Sequence, residues 1–133
     1  MGFRIRDAEL VETVALPVLS DTVYTDPFDL GAGAQDFVAD AELRIEAPAL
    51  AVGELANGET VVYAVEHSAD GVTYTTLMAS VLTQTGADGA GAAAANAQVR
   101  LPVDVNRYVR VAAVASDYAN DLSAKTLTVR LLT

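Results

Sequence analysis

The chain offers very little that could do covalent chemistry. Its 133 residues contain one histidine, His67, and no cysteine. A zinc site draws on several such ligands, so a zinc site confined to one chain is not expected. Three copies of His67 meeting on a symmetric axis would supply enough ligands. Its place before Ser68-Ala69-Asp70-Gly71 is explained more simply as a polar strand terminus. A Ser-His-Asp arrangement would have to use His67 as its base, but Ser68 belongs to a turn and no G-x-S-x-G elbow exists. GADGAG at 86–91 places its glycines at the first, fourth and sixth positions, which is not a dinucleotide fingerprint, and no β-α-β pattern surrounds it. Asp26 and Asp29 flank Pro27-Phe28 and could be imagined around calcium, yet EF-hand spacing is missing and acids beside proline usually form turns. The sequence therefore reads as that of a protein that is not an enzyme and that uses no metal and no cofactor.

Polar chemistry between proteins is a different matter. Arg100, Arg107 and Arg110 give RLPVDVNRYVR a local basic character in a chain with 18 acids, 8 basic residues and a formal charge of −10. Two readings stand: solvated strand positions, or partners for carboxylates on a neighbouring subunit, which suit the planar guanidinium fork. One lysine and scattered arginines cannot neutralise a run of phosphates, so nucleic acid and anionic membranes are not expected partners. No apolar run approaches the roughly 18 residues of a spanning helix. The opening MGFRIRDAEL has no apolar stretch of a signal peptide, because Asp7, Glu9 and Glu12 interrupt it.

The elements that must carry these residues are strands. AELRIEA (41–47) sets Ala41, Leu43, Ile45 and Ala47 on one face and Glu42, Arg44 and Glu46 on the other. ETVVYAVEH (59–67) groups Val61, Tyr63 and Val65; RYVRVAAVA (107–115) groups Val109, Val111 and Ala113; KTLTVRLLT (125–133) groups Leu127, Val129 and Leu131. Segments 22–30, 72–83 and 96–103 are further candidates, while 6–16 fits helix and strand equally well. Asn57-Gly58 and Asp70-Gly71 are hairpin dipeptides, and Gly31 and Gly33 follow the strand at 22–30. Seven or eight short strands at this spacing predict an all-β protein, an antiparallel β-sandwich or jelly roll, formed as one domain over 1–133. Residues 1–20 are left as an arm or an extra element. TGADGAGAAAANA (85–97) is the one compositional anomaly, and it reads as a long loop or hairpin tip where backbones approach closely.

SDTVYTDPFDLGAG (20–33), VEHSADGVTYTTL (65–77) and QTGADGAGAAAANAQVRLPVDVNRYVRVAAVAS (84–116) occur in an order that resembles the capsid cement, or head decoration, proteins of tailed bacteriophages, of the jelly-roll type. The likeness is carried by DLG at 29–31, RLP at 100–102, RYVRV at 107–111 and the Gly/Ala loop between. It covers roughly the last hundred residues. It implies a structural protein without enzymatic activity, made in the host bacterial cytoplasm. On the outer surface of the virion it would form a homotrimer that clamps the phage major capsid protein. The expected subunit or capsid contacts are Gly86, Gly89, Gly91, Ala93, Ala94, Arg100, Arg107 and Arg110. The alternative is a carbohydrate-binding or adhesion sandwich on a virion fibre, which would need exposed aromatics such as Tyr74 or Tyr118 as stacking platforms.

Overall fold

A computed structural model describes residues 10–30, 41–102, 104–116 and 120–132. The expected Gly31 and Gly33 turn, and residues 1–9, lie outside these. Alternation at period two becomes strand after strand: β1 (Leu10–Ala15), β2 (Thr22–Tyr24), β3 (Phe28–Asp29), β4 (Glu42–Ala47), β5 (Thr60–Ser68), β6 (Thr75–Thr85), β7 (Ala95–Arg100), β8 (Tyr108–Ala115) and β9 (Thr126–Leu132). The ambiguous segment 6–16 resolves as strand over its described part, because Leu10–Ala15 pairs along β9 from Leu131 to Thr126.

Every pairing is antiparallel, in two sheets ordered β1-β9-β4-β7 and β2-β8-β5-β6, with β3 also on β8. This is the strand order of a jelly roll, in which consecutive strands mostly go to opposite sheets. The architecture is an all-β, antiparallel sandwich. The extra strand relative to eight has a local cause. β2 and β3 are one edge strand interrupted at Thr25-Asp26-Pro27, because Tyr24 pairs with Ala112 while Phe28 pairs with Val109, leaving one residue too many. Thr25 is buried there, and its Oγ1 accepts the Val111 N–H at 3.0 Å where a strand carbonyl would have done so.

The predicted inner faces all meet. Leu43, Ile45, Leu127, Val129 and Leu131 from the first sheet pack against Val61, Tyr63, Val65, Val109, Val111 and Ala113 from the second. Asp70-Gly71 does join a hairpin, between β5 and β6. Asn57-Gly58 does not: β4 and β5 belong to different sheets, so this turn lies in a crossover. The dipeptide records a chain reversal with positive φ at Gly58, and local sequence cannot say which sheet the next strand joins.

The crossovers 16–21, 48–59 and 86–94 and the described residues 120–125 before β9 gather at one end of the sandwich and are tied to one another. Leu19 N–H donates to Asn120 O, Leu122 N–H to Pro17 O, and Leu50 and Ala92 exchange two bonds at 2.8 Å. Lys125 Nζ reaches Ala49 O and Glu54 Oε1. No helix among the described residues is long and apolar enough to cross a membrane.

At the opposite end the β5–β6 turn is organised by one carboxylate. Asp70 Oδ1 accepts from Ser68 Oγ and from the Val72 and Thr73 N–H groups at 2.8–2.9 Å. The two backbone bonds, then the hydroxyl, hold its carboxyl at about 2, below its ordinary 3.8. A depressed carboxylate contributes stability that is complete above about pH 4 and lost as pH falls through 2. Thermal midpoints from pH 5 to pH 2 should accordingly fall faster for the wild type than for Asp70→Asn. Parallel curves would show that the turn does not titrate.

Candidate functional surfaces

The two outer sheet faces differ in kind. On the first sheet, β4 and its neighbours carry alternating charges that pair along β4 and across to β7 and β9. Arg44 and Arg130 both reach Glu46, at 3.3 and 3.2 Å, and Arg100 lies 3.7 Å from Glu42, which also accepts from Gln98 at 2.6 Å. This is a solvated face, and each exposed pair contributes little to stability.

On the second sheet, the outward positions of β5 and β8 include Val62, Ala64, Val114 and the buried Ala112, with Tyr24 and Thr22 alongside on β2. Val114 and Tyr24 are 42% and 43% exposed, large values for branched and aromatic groups on a sheet face. The least exposed charges here form one pair. Arg110 Nε donates to Glu66 Oε1 at 2.8 Å, and both side chains are only about one-fifth exposed, at 22% and 19%. The guanidinium lies between two rings, 3.9 Å from the Tyr24 centroid and 3.8 Å from that of Tyr74. Burial pushes the Tyr74 phenol above its ordinary range, opposed by the nearby Arg110 charge. The centre of this face is thus uncharged, and its rim is a stacked, internally neutralised group.

The predicted contact residues do not form one patch. Arg107 makes a forked pair with Asp29, at 2.7 and 3.0 Å, and this contact raises its already high pKa. Asp29 therefore serves a cation of its own chain, and the imagined calcium cradle at Asp26 and Asp29 has that competitor. Arg100, Arg107 and Arg110 all pair with carboxylates of the same chain, through three different strands. His67 Nδ1 accepts the Asn106 N–H at 3.0 Å, so the sole histidine braces the turn before β8. Among the described residues no group of three or more His, Cys, Asp or Glu is placed to hold a metal.

The Gly/Ala segment runs from the end of β6, over the loop end, into β7. Its small residues serve a close approach within the chain. Gly86 N–H donates to Glu59 O, Gly58 N–H donates to Gly86 O, and Ala87 N–H donates to Gly91 O. A Cβ on Gly86 would strike the Ala56 carbonyl, and one on Gly91 the Leu50 carbonyl. Gly89, with φ near +71, has nothing around it, and Ala93 and Ala94 are exposed. Ala49, Ala51, Ala87, Ala90 and Ala92 line a shallow groove of about 570 Å³ beside Lys125. The segment is anchored below by Gln84, a buried amide whose partners are Tyr63 Oη, Pro48 O and Ala93 O. Sequence reasoning missed Gln84, which looked like one more polar residue at a strand end. It also missed Val18, Leu19 and Val52, exposed at the same end at 50%, 45% and 52%.

No protein family matches the sequence. No curated protein does either. Similarity appears among solved structures. The chain is similar to part of the PBSX exported protein XepA, at 17% identity and a TM-score of 0.51 over 94% of this chain and 36% of that one. It also aligns with PirA, at 9% identity and a TM-score of 0.41 over 99% of this chain and 98% of that one. A chain of the nora virus structure aligns at 14% identity and a TM-score of 0.44, over 93% of this chain and 53% of that one. The chain spans about a third of the length of XepA, and what the two share is a fold: an all-β sandwich.

Proposed function

We propose that the protein is a non-catalytic assembly module of a phage virion, a cement protein that joins copies of itself and binds the outer surface of the head. The observation that carries this reading is the outer face of the second sheet. Val62, Ala64, Val114 and Tyr24 form an apolar outer surface with Ala112 buried beneath it, and the Arg110–Glu66 pair beside it is neutralised and largely withdrawn from water. Burying such a face against protein removes apolar area from water with little further cost of desolvating charge. The sequence resemblance and the jelly-roll strand order support the same reading. In this reading the face is the seam between sister subunits of a trimer, and Arg110 contributes to it as a rigid rim. The loop end, with Gly89, Ala93 and Ala94, is left free for the shell. Stabilisation then follows from linkage: a ligand that engages only the assembled lattice favours that lattice, and three linked sites multiply the effect.

Light scattering after size exclusion should give the mass of a trimer, and Ala64→Glu, at the centre of the face, should give a folded monomer. A wild-type monomer that also fails to sediment with expanded heads would sink the proposal. The carbohydrate-binding alternative is disfavoured by Arg110, which fills the space between the Tyr24 and Tyr74 rings. Tyr118, the other expected platform, lies outside the described residues.

A further inference from the structure

We propose that the loop end is a docking surface in which Val18, Leu19 and Val52 insert into apolar sockets on a positively charged protein surface. The proposal rests on the head-binding reading above and names the part of the molecule that would make the contact. Val18 and Leu19 lie on the β1–β2 crossover and Val52 on the β4–β5 crossover, and each side chain is about half exposed. Branched apolar side chains exposed on loops, at the same end as an alanine-lined groove, are the kind of surface residues an interaction site uses.

Two features make this end rigid before any partner arrives. The crossovers are cross-linked by the Leu19–Asn120, Leu122–Pro17 and Leu50–Ala92 backbone bonds and by the contact of Gly91 with the Leu50 carbonyl. Leu19 itself sits at φ near +57, in the left-handed region that a leucine avoids, and is the one non-glycine residue with positive φ among those described. A leucine held at this φ is kept there by its surroundings, and nearly half of it still faces solvent.

Charge decides the occupant. Asp21, Asp88 and Asp121 are exposed on the same crossovers, and the one lysine there, Lys125, is bound to Glu54 at 2.7 Å. A second copy presenting the same end would meet like charge, and phosphate-bearing surfaces would be repelled for the same reason. A protein surface with basic residues around apolar pockets is complementary on both counts.

The test uses the full chain and expanded phage heads assembled without it, with bound protein measured by co-sedimentation. Leu19→Asp and Val52→Asp should each weaken binding on the order of tenfold or more. Leu19→Gly relieves the backbone while removing the side chain, so it should bind as poorly and unfold no earlier than the wild type. Val72→Asp, at the opposite end and 81% exposed, should bind as the wild type does. Added salt should weaken wild-type binding. If the wild type binds and Leu19→Asp and Val52→Asp bind equally well, the docking proposal is overturned while the head-binding reading stands. If the wild type does not bind heads at all, both fall.

Discussion

Gly91→Ala should lower the thermal midpoint by on the order of 10–15 °C, an effect of about 3–4 kcal/mol. Two costs combine. The residue holds φ near +65, where an alanine is strained, and the new methyl would lie well inside the 3.0 Å that real Cβ atoms keep from the Leu50 carbonyl. Neither neighbour can step aside, because Leu50 N–H donates to Ala92 O and Ala92 N–H to Leu50 O on either side of the clash. The glycine series separates the causes. Gly89→Ala meets open space at a similar φ and should cost about 1 kcal/mol. Gly53→Ala meets open space without that φ and should be close to neutral. Thermal or urea unfolding of the three variants checks the ranking. Equal effects at Gly89 and Gly91 would mean that conformation alone, without the close approach, sets the cost.

Gln84→Leu is the second large effect, about 3–4 kcal/mol despite nearly equal volume. The wild-type amide accepts from Tyr63 Oη at 2.7 Å and donates to Pro48 O at 2.8 Å and Ala93 O at 3.0 Å. Leucine would leave both carbonyls and the tyrosine hydroxyl without their partner, the hydroxyl in a fully buried site and the carbonyls in part-buried ones. Burial raises the Tyr63 phenol far above its usual range, so it stays a neutral donor and cannot escape by ionising. A double-mutant cycle with Tyr63→Phe should show coupling: the pair of substitutions should cost less than the two singles together, since the orphaned hydroxyl is then gone. Strict additivity would show that the two side chains do not act as a unit.

Much of this fold was legible because each strand's buried face is written at period two. Leu43–Ile45, Val61–Tyr63–Val65 and Leu127–Val129–Leu131 all point where alternation puts them. Pairing was not legible, since alternation gives a strand its inner face and says nothing of its neighbour. Asn57-Gly58 illustrates this: the turn is real, but it leads to the other sheet. The break at Thr25–Pro27 was hidden for a related reason, because a side-chain hydroxyl standing in for a carbonyl has no pattern in sequence. The contact residues were legible only as types. Small residues at 85–97 did announce a close approach, yet Gly86 and Gly91 make it to the chain's own main chain. Arginines announced carboxylate partners, and Glu42, Asp29 and Glu66 of the same chain are found beside them. The loop-end prong left no signal at all, since Val18 and Leu19 look like core residues until the crossover turns them outward.

The position of β9 has a consequence for how the molecule comes into being. It lies between β1 and β4, so the first sheet has a gap at its centre until the last of its strands is synthesised. Until β9 is made, β1 lacks the one ladder partner it has among the described residues, and β4 is paired along one edge alone, by β7. β5 and β6, consecutive in the chain, can pair first, and β4 can pair with β7 before β8 is made. A ribosome making this chain therefore carries several unpaired apolar strands at once. The molecule's exposure to misassociation is greatest before β8 is made, when β1, β2 and β3 all await partners. β8 then takes up β2, β3 and β5, and β9 takes up β1 and the free edge of β4.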